Sequence, residues 1–226
     1  MRVAIAVPTG ALLPGGLRML ARARLARLSA AELGRQLLVD RPSVRVILVR
    51  PADVPAYVDH GAADLGIVGK DVLWESPGSH YELVDLLFGG CKLVLAVPEE
   101  SPLAGPETWP PSLRVATKYP HTTARWFEAR GQSVEVVRLN GSVELAPLVG
   151  LVDGIVDLTA TGRTLRENRL RIASVLGTST ARLIANQASL KTRTAAVQAV
   201  VTRLRDAVDH SPARKTGAAG ARRRAG

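Results

Sequence analysis

Apolar residues in this chain fall into short runs, most of them closed by glycine or proline and followed by a stretch with helical spacing. Arg2 to Val7 reads as a buried strand that turns at Pro8-Thr9-Gly10, and a helix follows from about Leu12 to Leu28. Val44 to Val49 is a second apolar strand, Val54 to His60 a short helix, and Ala63 to Val68 a third strand closed by Gly69. Leu83 to Phe88 comes next, then a Gly89-Gly90 break and Lys92 to Val97, whose unbroken apolar character suits a central strand. Beyond a stretch punctuated by Pro102, Pro106, Pro110 and Pro111 the rhythm restarts. It gives strand Leu113 to Thr117, helix Thr122 to Ala129, strand Val134 to Leu139, a short helix near Glu144 to Val149, and strand Gly154 to Leu158.

Strand, turn and helix repeated in this way predict an α/β protein of two lobes. The runs Ile172 to Leu176 and Ala181 to Ala185 are placed to carry the chain back to the first lobe, which a helix over Gln187 to Val208 completes. The expected division is 1–92 plus 185–210 for lobe one and 93–184 for lobe two, with 211–226 as a disordered basic tail. Lobes joined by crossing strands leave a central cleft, a common place for small ligands.

Composition narrows the function classes. With 46% apolar residues in 226 the chain can build a sizeable core, and no run approaches the ~18 to 20 residues of a membrane span, so neither a span nor a signal peptide is expected. The single Cys91 excludes an intramolecular disulfide framework and a zinc cluster, and it suits a reducing cytoplasm. His60, His80, His121 and His210 lack metal-ligand spacing and read as surface or helix-end residues. The net charge of +10 suggests nucleic acid until it is divided. Arg214, Lys215, Arg222, Arg223 and Arg224 carry half of it in an acid-free Gly/Ala/Arg tail. With two Phe, three Trp and three Tyr there is no aromatic platform for single strands, and no helix-turn-helix, zinc-finger or RNP signature occurs. The remaining basic balance reads as attraction for small polyanions.

Asp153 to Leu165 is the stretch richest in chemistry. An apolar strand ends at Leu158, and the turn Thr159-Ala160-Thr161-Gly162 opens a helix at Arg163-Thr164. Backbone N–H groups and hydroxyls converging there suit a phosphate, Gly162 permits close backbone approach, and Asp157 at the strand end suits ribose hydroxyls or a magnesium ion. The same turn also suits an ordinary helix cap by Thr159 or Thr161. Walker and Gly-x-Gly-x-x-Gly spacings are absent.

Several stretches together resemble a known family. Arg50-Pro51-Ala52-Asp53-Val54-Pro55-Ala56-Tyr57-Val58, Gly61 through Leu73, Ala116-Thr117-Lys118-Tyr119-Pro120 and Gly141-Ser142-Val143-Glu144-Leu145-Ala146-Pro147 resemble, in order, motifs of the ATP phosphoribosyltransferases, and Asp157 to Leu165 resembles their phosphoribosyl pyrophosphate loop. The resemblance implies a fold similar to type II periplasmic binding proteins. It implies transfer of the phosphoribosyl group to N1 of the adenine of ATP, with release of pyrophosphate, as the first step of histidine biosynthesis. No nucleophilic or acid–base residue is needed.

By the same resemblance Glu144, Asp157, Thr159, Ala160, Thr161, Gly162, Arg163 and Thr164 hold phosphoribosyl pyrophosphate. Gly10, Arg50, Asp71, Lys118 and Tyr119 belong to the ATP side. Magnesium is bound through substrate phosphates, with Asp157 a candidate ligand. Where the family usually has Lys-Gly-Arg after the first strand, this chain has Thr9-Gly10-Ala11, and Arg18 or Arg22 is the nearest replacement for the lost charge. The chain is similar to the family's short form, which pairs with a regulatory subunit like histidyl-tRNA synthetase as a dimer within a hetero-octamer. A non-catalytic solute-binding module of the same architecture is the competing reading, and it has no use for a phosphate loop.

Overall fold

The computed structural model describes residues 2–104 and 109–210, so the basic tail lies outside the described residues. The chain divides into two units, 2–89 with 180–210 and 90–179. These divisions lie a few residues from those expected at 92/93 and 184/185.

The first unit is built on a six-stranded sheet. Its strands are β1 (Val3–Pro8), β2 (Leu38–Asp40), β3 (Val44–Val49), β4 (Leu65–Gly69), β5 (Tyr81–Asp85) and β11 (Ala181–Ala185), in the order β2-β3-β1-β4-β11-β5. β1 runs parallel to β3 and β4, so these three strands end on one edge. Side chains alternate across the sheet. Ile5 and Val7 pack with Leu20, Val46, Ile67 and Leu204, the face covered by α1 (Leu13–Arg22) and α8 (Thr194–Asp209). Ala6, Val68 and Ile184 pack with Val54 and Val58 of α3 (Val54–Asp59) on the other face. Both faces are buried, which is why the strands read as unbroken apolar runs.

The second unit carries β6 (Cys91–Pro98), β7 (Arg114–Thr117), β8 (Glu135–Arg138), β9 (Gly154–Thr159) and β10 (Leu170–Ser179), in the order β10-β6-β9-β7-β8. β7 is parallel to both β8 and β9, whereas β6 is antiparallel to β9 and β10. Val94, Ala96, Ala116, Ile155 and Leu165 form one buried cluster. Trp109 packs on Trp126 and Phe127 of α5 (Pro120–Glu128), with ring centroids 5.9 Å from each. Among the described residues no helix is long and apolar enough to cross a membrane.

Local chemistry explains where elements differ from the expected ones. The first helix ends at Arg22 rather than near Leu28, because Arg24 turns into the left-handed region (φ 54°) and Arg203 of α8 donates to the Ala23 carbonyl at 2.9 Å. A fresh helix, α2 (Ala30–Leu33), starts with a capping box between Ser29 and Glu32. The C-terminal helix is split into α7 (Gln187–Thr192) and α8, with Asn186 capping the first by accepting from the Ser189 amide. The expected helix at Glu144 to Val149 is a 3-10 turn over Val143–Leu145. β5 stops at Asp85 because Leu87 takes a positive φ of 55°. Asp85 then accepts from the Leu87 amide at 3.0 Å and the Thr180 hydroxyl at 2.8 Å, and pairs with Arg182 at 3.1 Å. One carboxylate thus ties both points where the chain leaves and re-enters the first unit. His80, expected at the surface, is half-buried, with Nδ1 2.9 Å from Asp59 Oδ1.

The buried Asp64 links distant parts of the chain. It accepts from the Ala4 amide at 2.7 Å, from the Ser189 hydroxyl at 2.7 Å, and from Arg193 at 2.5 Å. Replacing Asp64 by Ala strips a partner from each of these donors and is expected to cost about 3 to 5 kcal/mol in denaturant unfolding. A loss under about 1 kcal/mol would show that the network is dispensable.

Candidate active site

β7 and β9 are in parallel register from Val115 opposite Gly154 to Thr117 opposite Val156. Lys118 follows the tip of β7 and Asp157 follows Val156, and their side chains meet with Nζ 3.9 Å from Oδ1. The 3-10 turn after β8 brings in Glu144. With the loop that leads into α6 (Arg163–Glu167), these residues line a pocket of about 310 Å3. Its walls also include Ser142, Thr159, Ala160, Thr161, Arg163 and Thr164.

Gly162 caps α6 in the left-handed region at φ 72°, and a Cβ there would stand 3.0 Å from the Arg166 guanidinium. Only glycine takes this conformation without strain. The Gly162 amide donates to Thr159 Oγ1 at 2.8 Å and the Arg163 amide donates to Thr161 Oγ1 at 3.4 Å, so the two hydroxyl oxygens sit on amides that also suit a phosphate oxygen. Arg163 itself pairs with Glu167 at 2.7 Å on the exposed side of the helix.

Burial pushes the Asp157 carboxyl above its ordinary range, against the opposing pull of the Lys118 ammonium and a backbone hydrogen bond at Leu158, while Glu144 pushes it further up. A carboxylate kept partly out of water beside a second one binds hydroxyl groups strongly, since each donated hydrogen bond relieves the burial. Among the described residues no group of three or more His, Cys, Asp or Glu is placed to hold a metal. A larger hollow of about 480 Å3 lies at the ends of α1 and α8 beside Arg22, Arg203 and His210. There Arg203 is spent on the backbone carbonyls of Ala23 and Arg24, so the smaller, carboxylate-lined pocket is the better candidate.

Of the residues expected to hold phosphoribosyl pyrophosphate, Glu144, Asp157, Thr159, Ala160, Thr161, Arg163 and Thr164 line this one pocket, and Gly162 sits in its loop. Lys118, expected on the ATP side, lines it too. Gly10, Arg50 and Asp71 belong to the first unit and follow the C-terminal ends of β1, β3 and β4. That edge of a parallel sheet is where α/β folds hold ligands. Asp71 is 8% exposed in the first turn of α4 (Lys70–Glu75), and its carboxylate folds over Gly69 so closely that a Cβ there would stand 2.3 Å from it. Sequence reasoning passed over two residues, Ser142, which takes a left-handed conformation at the pocket wall, and Thr117, discussed below. The Gly141-Ser142 pair was the only available signal for the former.

Carboxylates at one end of the pocket and amides and hydroxyls at the other suit a ligand that carries a diol and a phosphate, as the substrates of sugar-phosphate transferases do. Comparison with known proteins makes this specific. The family model described as ATP phosphoribosyltransferase matches residues 50–206, and the chain belongs to this family, whose reaction is the first step of histidine biosynthesis. The chain is 42% identical over 209 residues to the ATP phosphoribosyltransferase of Thermoanaerobacter sp. (strain X514), covering 92% of this chain and 96% of that one. It is 50% identical over 199 residues to that of Rubrobacter xylanophilus, covering 87% and 92%. Among solved structures it matches a chain of the ATP phosphoribosyl transferase (HisG:HisZ) complex from Thermotoga maritima at 34% identity and TM-score 0.77, covering 92% of this chain and all of that one. Periplasmic binding proteins share the fold, for example the alkanesulfonate-binding protein SsuA from Xanthomonas axonopodis at 15% identity and TM-score 0.55.

The raised pKa of Asp157 has a consequence for stability. Between the ordinary carboxylate range and the raised value, the folded chain binds more protons than the unfolded one, so stability falls as pH rises through that window. Asp157→Asn should therefore melt about 1 to 3 °C above the parent at neutral pH, the difference closing below the ordinary carboxylate range. A variant less stable than the parent at neutral pH would mean that Lys118 outweighs burial.

Proposed function

We propose that the Asp157 pocket holds the phosphoribosyl group during transfer to ATP. The observation that carries this is the pair Asp157 and Glu144 lining one pocket with the Thr159 to Thr164 loop. Displacement of pyrophosphate from C1 of the ribose by the adenine N1 builds positive charge on the sugar ring. Asp157 and Glu144 accept the ribose hydroxyls and set negative charge beside that ring. Thr159 and Thr161 release the Gly162 and Arg163 amides to the 5-phosphate and add their own hydroxyls as donors. Ala160, Gly162 and Thr164 let the loop close around it. Lys118 favours the charged form of Asp157 against the burial that opposes it. No covalent enzyme intermediate is required, so the protein's task is positioning and electrostatics.

Gly10, Arg50 and Asp71, at the edge of the first sheet, are assigned to ATP in this reading, as is Tyr119 of the second unit. Magnesium, when bound, neutralises charge on the departing pyrophosphate. Two neighbouring carboxylates, with no larger cluster among the described residues, suit an ion held mostly by substrate oxygens, with Asp157 as its protein ligand. Both substrates are cytoplasmic metabolites, and we place the chain in that compartment.

Replacing Gly162 by Val should weaken phosphoribosyl pyrophosphate binding by about tenfold or more, because the left-handed turn is strained and the loop is pushed outward, while ATP binding changes little. Titration calorimetry on the folded variant reads both constants, and equal weakening of the two would defeat the assignment.

The Thermotoga maritima relative is solved in a HisG:HisZ complex, and we infer a two-chain assembly here, with the histidine sensor on the partner. Feedback needs a second site that distinguishes two states. The isolated chain should keep its turnover when histidine is added and lose it only in the complex. Histidine inhibiting and binding the isolated chain would place the sensor within it.

A further inference from the structure

Thr117 is the last residue of β7 and is fully buried, yet it carries a hydroxyl that the strand ladder does not need. That hydroxyl donates to the Val156 carbonyl at 2.7 Å and accepts the Tyr119 amide at 2.9 Å. Val156 immediately precedes Asp157, and Tyr119 immediately follows Lys118. One oxygen therefore joins the end of β7 to the middle of β9 at the point where the next side chains form the Lys118–Asp157 pair.

The ladder between β7 and β9 has its last pair at Thr117 and Val156. Beyond it the backbone leaves extended geometry, reaching φ −119° and ψ 58° at Tyr119 before α5 begins. The Thr117 hydroxyl acts where backbone pairing has run out. We infer that Thr117 is a positioning residue for the transfer reaction, its hydroxyl fixing Lys118 and Tyr119 against Asp157 so that the ribose-binding carboxylate is held in one orientation. This rests on the reading that the Asp157 pocket holds the phosphoribosyl group.

Thr117 touches no substrate and acts through the two backbone segments it joins. Valine has nearly the same shape and β-branching but cannot donate to Val156 or accept from Tyr119. Serine keeps the hydroxyl and loses only the methyl. A purely structural role would rank these variants by packing, whereas a positioning role ranks them by the hydroxyl.

The test compares Thr117→Val, Thr117→Ser and Thr117→Ala with the parent in steady-state turnover, together with direct binding of phosphoribosyl pyrophosphate and circular dichroism to establish folding. Val is expected to lower kcat/KM for phosphoribosyl pyrophosphate by about tenfold or more while the KM for ATP changes by less than about threefold, and Ser to stay within about threefold of the parent. Ala removes the hydroxyl without pressing a methyl against the Val156 carbonyl, and it should reproduce the Val pattern even if Val does not fold. Parent-like kcat/KM in a folded Val or Ala variant, or a loss in Ser equal to theirs, overturns the proposal. Asp157→Ala serves as reference. If it abolishes phosphoribosyl pyrophosphate binding while the hydroxyl-less variants behave as the parent, the role of Thr117 alone fails. If it binds as the parent does, the pocket assignment fails and the Thr117 role with it.

Discussion

Parallel pairing of β7 with β9 is the constraint on which the site depends. Parallel strands in register end at the same edge, so the residues that follow the last pair emerge side by side however far apart they are in sequence. Here those residues are Lys118 and Asp157. The paired stretches Val115 to Thr117 and Gly154 to Val156 are buried, with Ala116 and Ile155 in the same apolar cluster. The core thus fixes the charges that it excludes. Glu144 is added by a turn anchored through the buried Val143, so the second carboxylate is also positioned by an apolar neighbour.

This arrangement works against stability. Asp157 sits where burial disfavours its charge, and one ammonium 3.9 Å away relieves this only in part. The Gly162 turn likewise excludes every residue whose Cβ would strain it. The second unit offsets such features with packing elsewhere, notably the Trp109, Trp126 and Phe127 rings and the Arg130 guanidinium 3.6 Å above the Trp126 ring.

Much of this was legible in the sequence because buried strands write themselves as unbroken apolar runs. Val44–Val49 was read at both ends, and Gly154 to Leu158 to within one residue of its end. The edge strand Leu38–Asp40 was missed, since it is three residues long with two of them exposed and has no pattern to display. The helix that stops at Arg22 was read too long because its end is set by Arg203, far along the chain, and not by a local breaker. The turn that opens α6 was legible from Gly162 and the threonines, because conformational demands fall on residue type. Lys118 was assigned to the ATP side, since its meeting with Asp157 is a matter of strand order, and strand order is a tertiary property. Thr117 lay within a stretch that resembles the family, but nothing marked it out from its neighbours, because a threonine at a strand end is what any sheet would have.

Strand order also bears on the replacement of the usual Lys-Gly-Arg by Thr9-Gly10-Ala11. β1 and β3 are parallel and in register up to Pro8 opposite Val49, and the Thr9 amide donates to the Val49 carbonyl at 2.8 Å. Arg50 therefore emerges beside Thr9, exposed, and among the described residues it forms no salt bridge. Arg22 is a poor substitute by comparison. It lies at the far end of α1, roughly 15 Å along the helix from the turn, and borders the hollow beside α8. Arg18 is nearer but still separated from Gly10 by two helical turns. An anion at this edge would meet Arg50 on the neighbouring strand and no cation on the turn itself, a position that sheet register alone provides.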